Sequence, residues 1–351
     1  MLAVIKRDLM KIIDKKNSEI TNNKKLNSKF LSVFNNDKKL KCKILTGDFF
    51  LDSFNFFPIT DEYNTFRELF SWGEKNKYEN FYSNNFLKTF NENKIKFKKL
   101  SNVFILGSSP GDNYYRNMTN FLPRIFFIKD KNINIAVHRN LSNKFRNFIY
   151  FLGDNLKIKI NLIFLDDDFY KFSNSQIPQF FLEQKSINII NKLIVPNNKK
   201  KDKKIYLSRQ NSDYRNLINE EDVIKELKKK DFQIVDLNNY EIIEQIELFA
   251  SAKVIISPTS SSLANILFCS RGTKVIEICP KYRFDYENVF KLRYSFICNR
   301  LGLNYQSIEA DSINLENLDP FTKKFISENV LNESNYYKNL IIKIDNIQNV
   351  L

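Results

Sequence analysis

The chain has 351 residues, 43% hydrophobic and 14% aromatic, with 55 lysines and arginines against 40 acidic residues, a formal net charge of +15. That length exceeds a usual single domain and the apolar content can fill two cores, which excludes a disordered or fibrous chain. The positive balance favours anionic partners, whether nucleic acid, acidic lipid headgroups or phosphorylated substrates; no nucleic-acid-binding signature accompanies the basic runs, so nucleic acid is not expected as a partner and a basic nucleic-acid binder stands only as a lesser alternative.

Cys42, Cys269, Cys279 and Cys298 lie far apart and lack the paired spacing of a zinc site, which reads as a reduced, cytoplasmic protein. The opening MLAVIKRDLMKIIDKK is charged too early for a signal peptide, and no run reaches the roughly 18 to 20 apolar residues of a membrane span. Membrane contact is therefore expected to be peripheral, on the anionic inner face.

Along the chain, residues 1–100 carry no sustained period. From there NVFILGSSPGDNYYRNMTNFLPRIFFI reads as a strand, a glycine-containing loop and a helix, and INIAVH and KIKINLIFL read as strands. Together these make 1–196 an α/β domain, with a boundary at the lysine-rich PNNKKKDKK. In 204–310 the pattern is cleaner. KIYLS is a strand, and NEEDVIKELKKKD is a helix with Asn219 as N-cap, acids in its first turn and lysines in its last. The strand FQIVDL, a helix through EIIEQIELFASA, the strand KVIIS, a helix running from the serine turn to Arg271 and stopped by Gly272, and the strand TKVIEIC follow. Alternation of this kind predicts a parallel, doubly wound sheet whose ligands sit at the carboxyl ends of the strands. The segment 311–351 reads as helical and is expected to pack back on the first domain.

Between two apolar runs stand four hydroxyl residues, Thr259, Ser260, Ser261 and Ser262. A strand, a tight turn and a helix start there would present free backbone N–H groups, which attract anions. The alternative is that the serines cap the helix.

The segment from Ile205 to Ile278 resembles the C-terminal domain of the glycosyltransferase 61 family in the words YLSRQNSDYRNLINEEDV, FQIVDL, EQIELFASAKVIISPTSSSLANILF and GTKVIEI. Upstream, NYYRNMTNFLPRI resembles the family's segment Asn-Tyr-x-His-(Trp/Phe)-x-x-(Glu/Asp)-x-x-Pro-Arg. The resemblance implies a GT-B architecture, two Rossmann-like domains with parallel sheets facing across a cleft. It also implies inverting transfer without a required cofactor or metal, from a nucleotide-sugar, commonly UDP-linked, to a glycan or glycolipid acceptor, as in polysaccharide or lipopolysaccharide assembly. The chain departs from the family pattern in three places. Thr259-Ser260 stands where the family has His-Gly, Arg116 replaces the upstream histidine, and Asn120 replaces the acid; His138 is the only histidine.

An inverting transfer needs a base for the acceptor hydroxyl and positive or dipolar groups for the departing diphosphate. On this reading Thr259, Ser260, Ser261 and Ser262 hold the diphosphate with Arg209 and Arg215. Glu277, at a strand end, holds the ribose hydroxyls, and Asn265 supports the turn. On the acceptor side stand Asn113, Tyr114 and Arg124, with Asp112 as base and Arg116 as a permanent cation in place of a histidine. Each has a plainer alternative: capping for the serines and Asp112, surface pairing for the arginines, a salt bridge for Glu277. A competing reading takes Asp166 and Asp168 of FLDDDFY as metal ligands. Another takes the absent family histidines as the mark of a nucleotide- or glycan-binding module without catalysis.

Overall fold

The computed structural model describes residues 11–13, 26–35, 38–53, 57–59, 64–66, 96–107, 113–179, 187, 190–191, 194, 200–210, 212, 215–280, 285–312 and 339–351. The chain is α/β and divides into two compact units, Met1–Ser186 and Ile187–Leu351.

In the first unit, β1 (Lys11–Ile13) pairs with β5 (Asn64–Phe66). The larger sheet orders β2 (Leu26–Asn35), β3 (Lys38–Asp52), β10 (Phe169–Pro178), β7 (Val103–Ile105), β8 (Asn132–His138) and β9 (Lys159–Leu165). Off that path, β4 (Phe57–Ile59) pairs with β3, and β6 (Lys98–Ser101) pairs with β10. The strands β10, β7, β8 and β9 run parallel, whereas β2 and β3 form an antiparallel extension. Phe49, Leu51, Ile105, Ala136, Leu165 and Phe172 form its core, each 1% exposed or less.

The expected helix after β7 is irregular. A single α-turn, α1 (Tyr114–Arg116), passes into a π-helical turn over Asn117–Phe121 and then a 3-10 helix over Leu122–Phe127. Pro123 has no N–H to give to a carbonyl four residues back, which prevents a continuous α-helix here. Helix α2 (Asn143–Leu156) follows β8, capped by the Ser142 side chain.

The second unit carries one sheet in the order β12 (Gln233–Val235), β11 (Lys203–Leu207), β13 (Ala252–Pro258), β14 (Lys274–Pro280), β15 (Asn304–Ser312) and β16 (Leu340–Ile341). The first five are parallel. Between them run α3 (Glu220–Lys228), α4 (Ile242–Ala250), a 3-10 helix over Ser261–Phe268 and α5 (Asp285–Leu301). Strand order reverses at β11, whose two neighbours are the next two strands in the chain, so a crevice opens between the carboxyl ends of β11 and β13.

Two details differ from the sequence reading. Asn219 precedes α3 but its side chain does not cap the helix; it donates to the Ile342 carbonyl at 2.7 Å and accepts from the Ile342 N–H at 3.2 Å. A partner distant in sequence thus takes the amide that local capping would use. The helix after the serine turn is 3-10 and ends at Phe268, short of Arg271, while Gly272, at φ +83°, makes the turn into β14.

The described end of the C-terminal segment lies in the second unit. There β16 adds an antiparallel edge to β15, and Leu340 of β16, Ile342 just beyond it and Ile347 of α6 (Ile344–Gln348) join the core of Tyr206, Val223 and Ile276. Among the described residues, no helix is long and apolar enough to cross a membrane, and Cys269, Cys279 and Cys298 are buried free thiols.

Candidate functional site

Pro258 ends β13, and the Thr259 N–H closes the strand by donating to the Ile278 carbonyl of β14 at 2.8 Å. Ser260 is extended, at φ −159°, and its side chain makes no capping hydrogen bond. Its carbonyl accepts from the Leu263 N–H at 3.2 Å and from the Tyr294 hydroxyl of α5. The first intrahelical bond therefore begins at Leu263, which leaves the N–H groups of Ser261 and Ser262 at the open start of the helix. For Ser260, capping is thus not the role of the hydroxyl.

A small pocket opens at the point where strand order reverses. Ser208, Arg209 and Ser212 line it from beyond β11, Asp236 and Asn238 from beyond β12, and Ser260 and Ser262 from beyond β13. Its volume, about 50 Å³, suits a phosphate group rather than a whole nucleotide-sugar. Arg209, Ser260 and Ser262 were expected here. Ser208, Ser212, Asp236 and Asn238 were not, because no sequence signal places the end of β12 beside those of β11 and β13. An acid at the end of the strand next to the first is the position from which dinucleotide-binding sheets hold ribose hydroxyls, and Asp236 occupies it.

The other expected donor residues form a buried layer behind the pocket. Thr259 is 3% exposed and Arg215 is 3% exposed, with Arg215 in the left-handed region at φ +57°. Asn265, fully buried, donates to Gln245 Oε1 at 2.9 Å; Gln245 in turn donates to the carbonyls of Leu237 at 3.1 Å and Tyr240 at 3.0 Å. Asn265 thus fixes the segment after β12 that walls the pocket. Glu277 is fully buried and accepts from the Tyr305 hydroxyl at 2.7 Å. Burial pushes its carboxyl up to about 7, opposed by hydrogen bonds from Thr259 and Tyr305 and by the positive charges of Arg293 and Arg215. The Arg209 N–H bonds Glu220 Oε1 at 2.9 Å, and the Tyr206 hydroxyl donates to the same oxygen at 2.9 Å. That buried carboxylate ties the end of β11 to the start of α3.

In the first unit, Asn113 caps α1 by accepting from the Arg116 N–H at 3.1 Å, and Tyr114 packs edge-on against Phe145 at 6.4 Å. Arg116 is half-buried. Arg124 is 1% exposed and donates to the Leu106 carbonyl at 2.9 Å and the Gln179 carbonyl at 3.3 Å, with its guanidinium over the Phe121 ring. It braces the ends of β7 and β10. Asp112 lies outside the described residues.

The FLDDDFY carboxylates are held by cations of the protein itself. Lys98 Nζ stands 2.9 Å from Asp166 and 3.1 Å from Asp168, where a metal bridging the two would sit, and Asp166 holds the lysine ammonium well above its ordinary range. Asp167 Oδ1 lies 2.7 Å from His138 Nε2, while His138 Nδ1 accepts from the Asn140 N–H at 3.2 Å. The buried ring therefore carries its proton on Nε2 toward Asp167. Among the described residues, no three histidine, cysteine or acidic side chains cluster to hold a metal ion.

No curated protein matches the chain. The pattern of the Glycosyltransferase 61 family matches residues 114–276, a little under half of the chain, from α1 of the first unit to β14 of the second. This span includes the irregular helix with its Asn120, the reversal-point pocket and the serine turn. The match supports glycosyltransferase activity in general, and the family it names transfers a sugar from a nucleotide-sugar donor to an acceptor. Over residues 114–276 the chain is similar to the glycosyltransferase 61 family, without histidines at the positions where that family carries them.

Proposed function

We propose that the chain is an inverting, metal-independent glycosyltransferase of GT-B type that binds the diphosphate of a UDP-sugar at the reversal-point pocket. The supporting observation is that Arg209, Ser260 and Ser262 line one pocket at the start of a helix whose first internal hydrogen bond begins only at Leu263. A fixed guanidinium and N–H dipoles stabilise a leaving diphosphate without a divalent ion. In the step itself, a base removes the proton of an acceptor hydroxyl, its oxygen attacks the anomeric carbon from the face opposite the phosphate, and the bond from that carbon to the phosphate oxygen breaks. Asp112 takes the proton, Arg116 supplies positive charge, and Asn113, Tyr114 and Arg124 stand on the side of a glycan or glycolipid acceptor. Thr259, Arg215, Asn265 and Glu277 support the donor pocket from the layer behind it. A cytoplasmic enzyme with this net charge, resting on an anionic inner membrane face, suits polysaccharide or lipopolysaccharide assembly.

A second reading, a binding module without turnover, is favoured by the engagement of both His138 ring nitrogens within the protein. One experiment separates the two. The full chain and its Ser260→Glu variant are titrated with UDP, GDP, CMP and ADP, with and without EDTA, and release of nucleotide diphosphate from the matching sugar donor is followed with acceptor glycans present. EDTA-insensitive UDP binding lost in the variant, with turnover, supports the enzyme; the same binding without turnover supports the module. No binding of any of the four nucleotides sinks the donor-site assignment and leaves a glycan-binding or unrelated module as the better account.

A further inference from the structure

A second cavity lies in the first unit, at the amino-terminal ends of β7 and β8, the opposite edge from Gly107 and His138. Its volume, about 330 Å³, is at the low end of the roughly 300–1,000 Å³ of ligand sites and has room for one or two sugar rings. Five carboxamides line it: Asn102, Asn132, Asn134, Asn174 and Gln176. Asp130 supplies the one charged side chain among the described residues that line it.

The wall is built by the backbone. Strand β10 shifts register between Phe172 and Ser175, and Asn174 in that bulge and Asn102 before β7 both take left-handed φ, 46° and 55°. Bulges re-aim side chains, and here Asn174 Nδ2 donates to Asn102 Oδ1 at 2.6 Å while its own N–H bonds Asp48 at 3.0 Å. Across the cavity, Asn161 donates to Asn134 Oδ1 at 2.8 Å and so orients that amide with its N–H groups unspent. The side chains of Asn132, Gln176 and Asp130 make no hydrogen bond among the described residues.

The lining selects a ligand class. Among the described residues, no lysine or arginine borders the cavity, so the chemistry of its lining is not that of a phosphate or nucleic-acid site. Nor is it a greasy slot, since polar surface dominates the walls. Each carboxamide offers a donor and an acceptor, as does each sugar hydroxyl, and a carboxylate accepts from two adjacent hydroxyls at once. We propose that this cavity binds an uncharged sugar residue, at a site separate from the donor pocket. The ligand class follows from the lining and does not depend on the nucleotide-sugar reading.

The test is saturation-transfer NMR on the full chain with glucose, galactose, N-acetylglucosamine and xylose, and with inorganic phosphate and glucuronate as charged comparators. At least one neutral sugar is expected to bind with Kd on the order of 1 mM, a normal value for so few contacts. Asn132→Leu and Gln176→Leu weaken it at least about tenfold, and the isosteric Asn132→Asp shifts it without altering the fold; thermal melts of all three match wild type. Ser260→Glu leaves it unchanged, which separates this site from the donor pocket. Binding of none of the four sugars, preference for phosphate or glucuronate, or sugar binding indifferent to all three variants overturns the proposal.

Discussion

Tyr305 of β15 donates its phenolic hydrogen to Glu277 Oε2 of β14 over 2.7 Å, inside the buried layer that also holds Thr259. Burial raises the Glu277 carboxyl from 4.5 to about 7, so the folded protein binds this proton more tightly than the unfolded chain. Its contribution to stability is fully present below about 4.5 and is lost as pH rises through 7, with a magnitude of roughly 3 kcal/mol. Glu277→Gln keeps an acceptor for Tyr305 and removes the titration. The variant is expected to match wild type near pH 4 and to exceed it by a few kcal/mol at pH 8, measured by urea unfolding at both values. A stability difference independent of pH would show that Glu277 does not hold this proton.

Asn265 reaches the pocket through Gln245 rather than directly. Asn265→Ala leaves Gln245 Oε1 buried without its donor, a loss of about 1–3 kcal/mol. Because Gln245 also holds the Leu237 and Tyr240 carbonyls, UDP affinity should fall severalfold as the wall bearing Asp236 and Asn238 loosens. Unfolding titrations and calorimetry read the two effects separately. Lower stability with unchanged UDP affinity would confine Asn265 to a structural part.

The alternation of strands and helices in the second unit is legible because its buried strands are short apolar runs and its helices keep a 3.6-residue period. Strand order is not, because Ser208, Asp236 and Ser260 become neighbours only when β11 lies between β12 and β13. Asn219 shows the same limit at a single residue: its sequence context is that of a cap, and its partner, Ile342, is far along the chain. In the first unit, β2 (LNSKFLSVFN) mixes apolar and polar residues on both faces, so a clean two-residue alternation does not emerge. Strand β3, its antiparallel partner, opens with lysines that mask the apolar residues behind them. Glu277 reads from the sequence as a buried strand-end carboxylate in need of partners, and the partner the structure gives it, the Tyr305 hydroxyl of β15, lies 28 residues along the chain where no local pattern points to it.

Gly153 in α2 offers a stability test in which two local effects oppose each other. A methyl group there would stand 2.7 Å from Ile160 Cδ1 and 3.0 Å from the Ile158 carbonyl oxygen. Alanine gains about 1 kcal/mol in helix propensity over glycine, while forcing an extra carbon into a packed site costs typically 1–3 kcal/mol. The backbone oxygen cannot rotate aside as a side chain can, so the clash should win and Gly153→Ala should lower stability by about 1 kcal/mol. A rise in melting temperature would show that the turn from α2 into β9 gives way.

Arg209 is the residue whose loss should separate phosphate recognition from recognition of the base and ribose. Its backbone is fixed by Glu220 at the end of β11, and its side chain lines the pocket with Ser260 and Ser262. Hydrogen bonds to a charged group contribute about 1.5–3 kcal/mol, so Arg209→Ala should weaken UDP binding roughly 10- to 100-fold. Uridine has no phosphate and should bind both proteins alike. Arg209→Lys keeps the charge but not the planar fork, and should recover part of the loss. Equal weakening of UDP and uridine would mean that Arg209 shapes the pocket instead of holding the diphosphate. No effect on either would move the donor diphosphate away from the carboxyl end of β11, and the reversal-point pocket would lose its role.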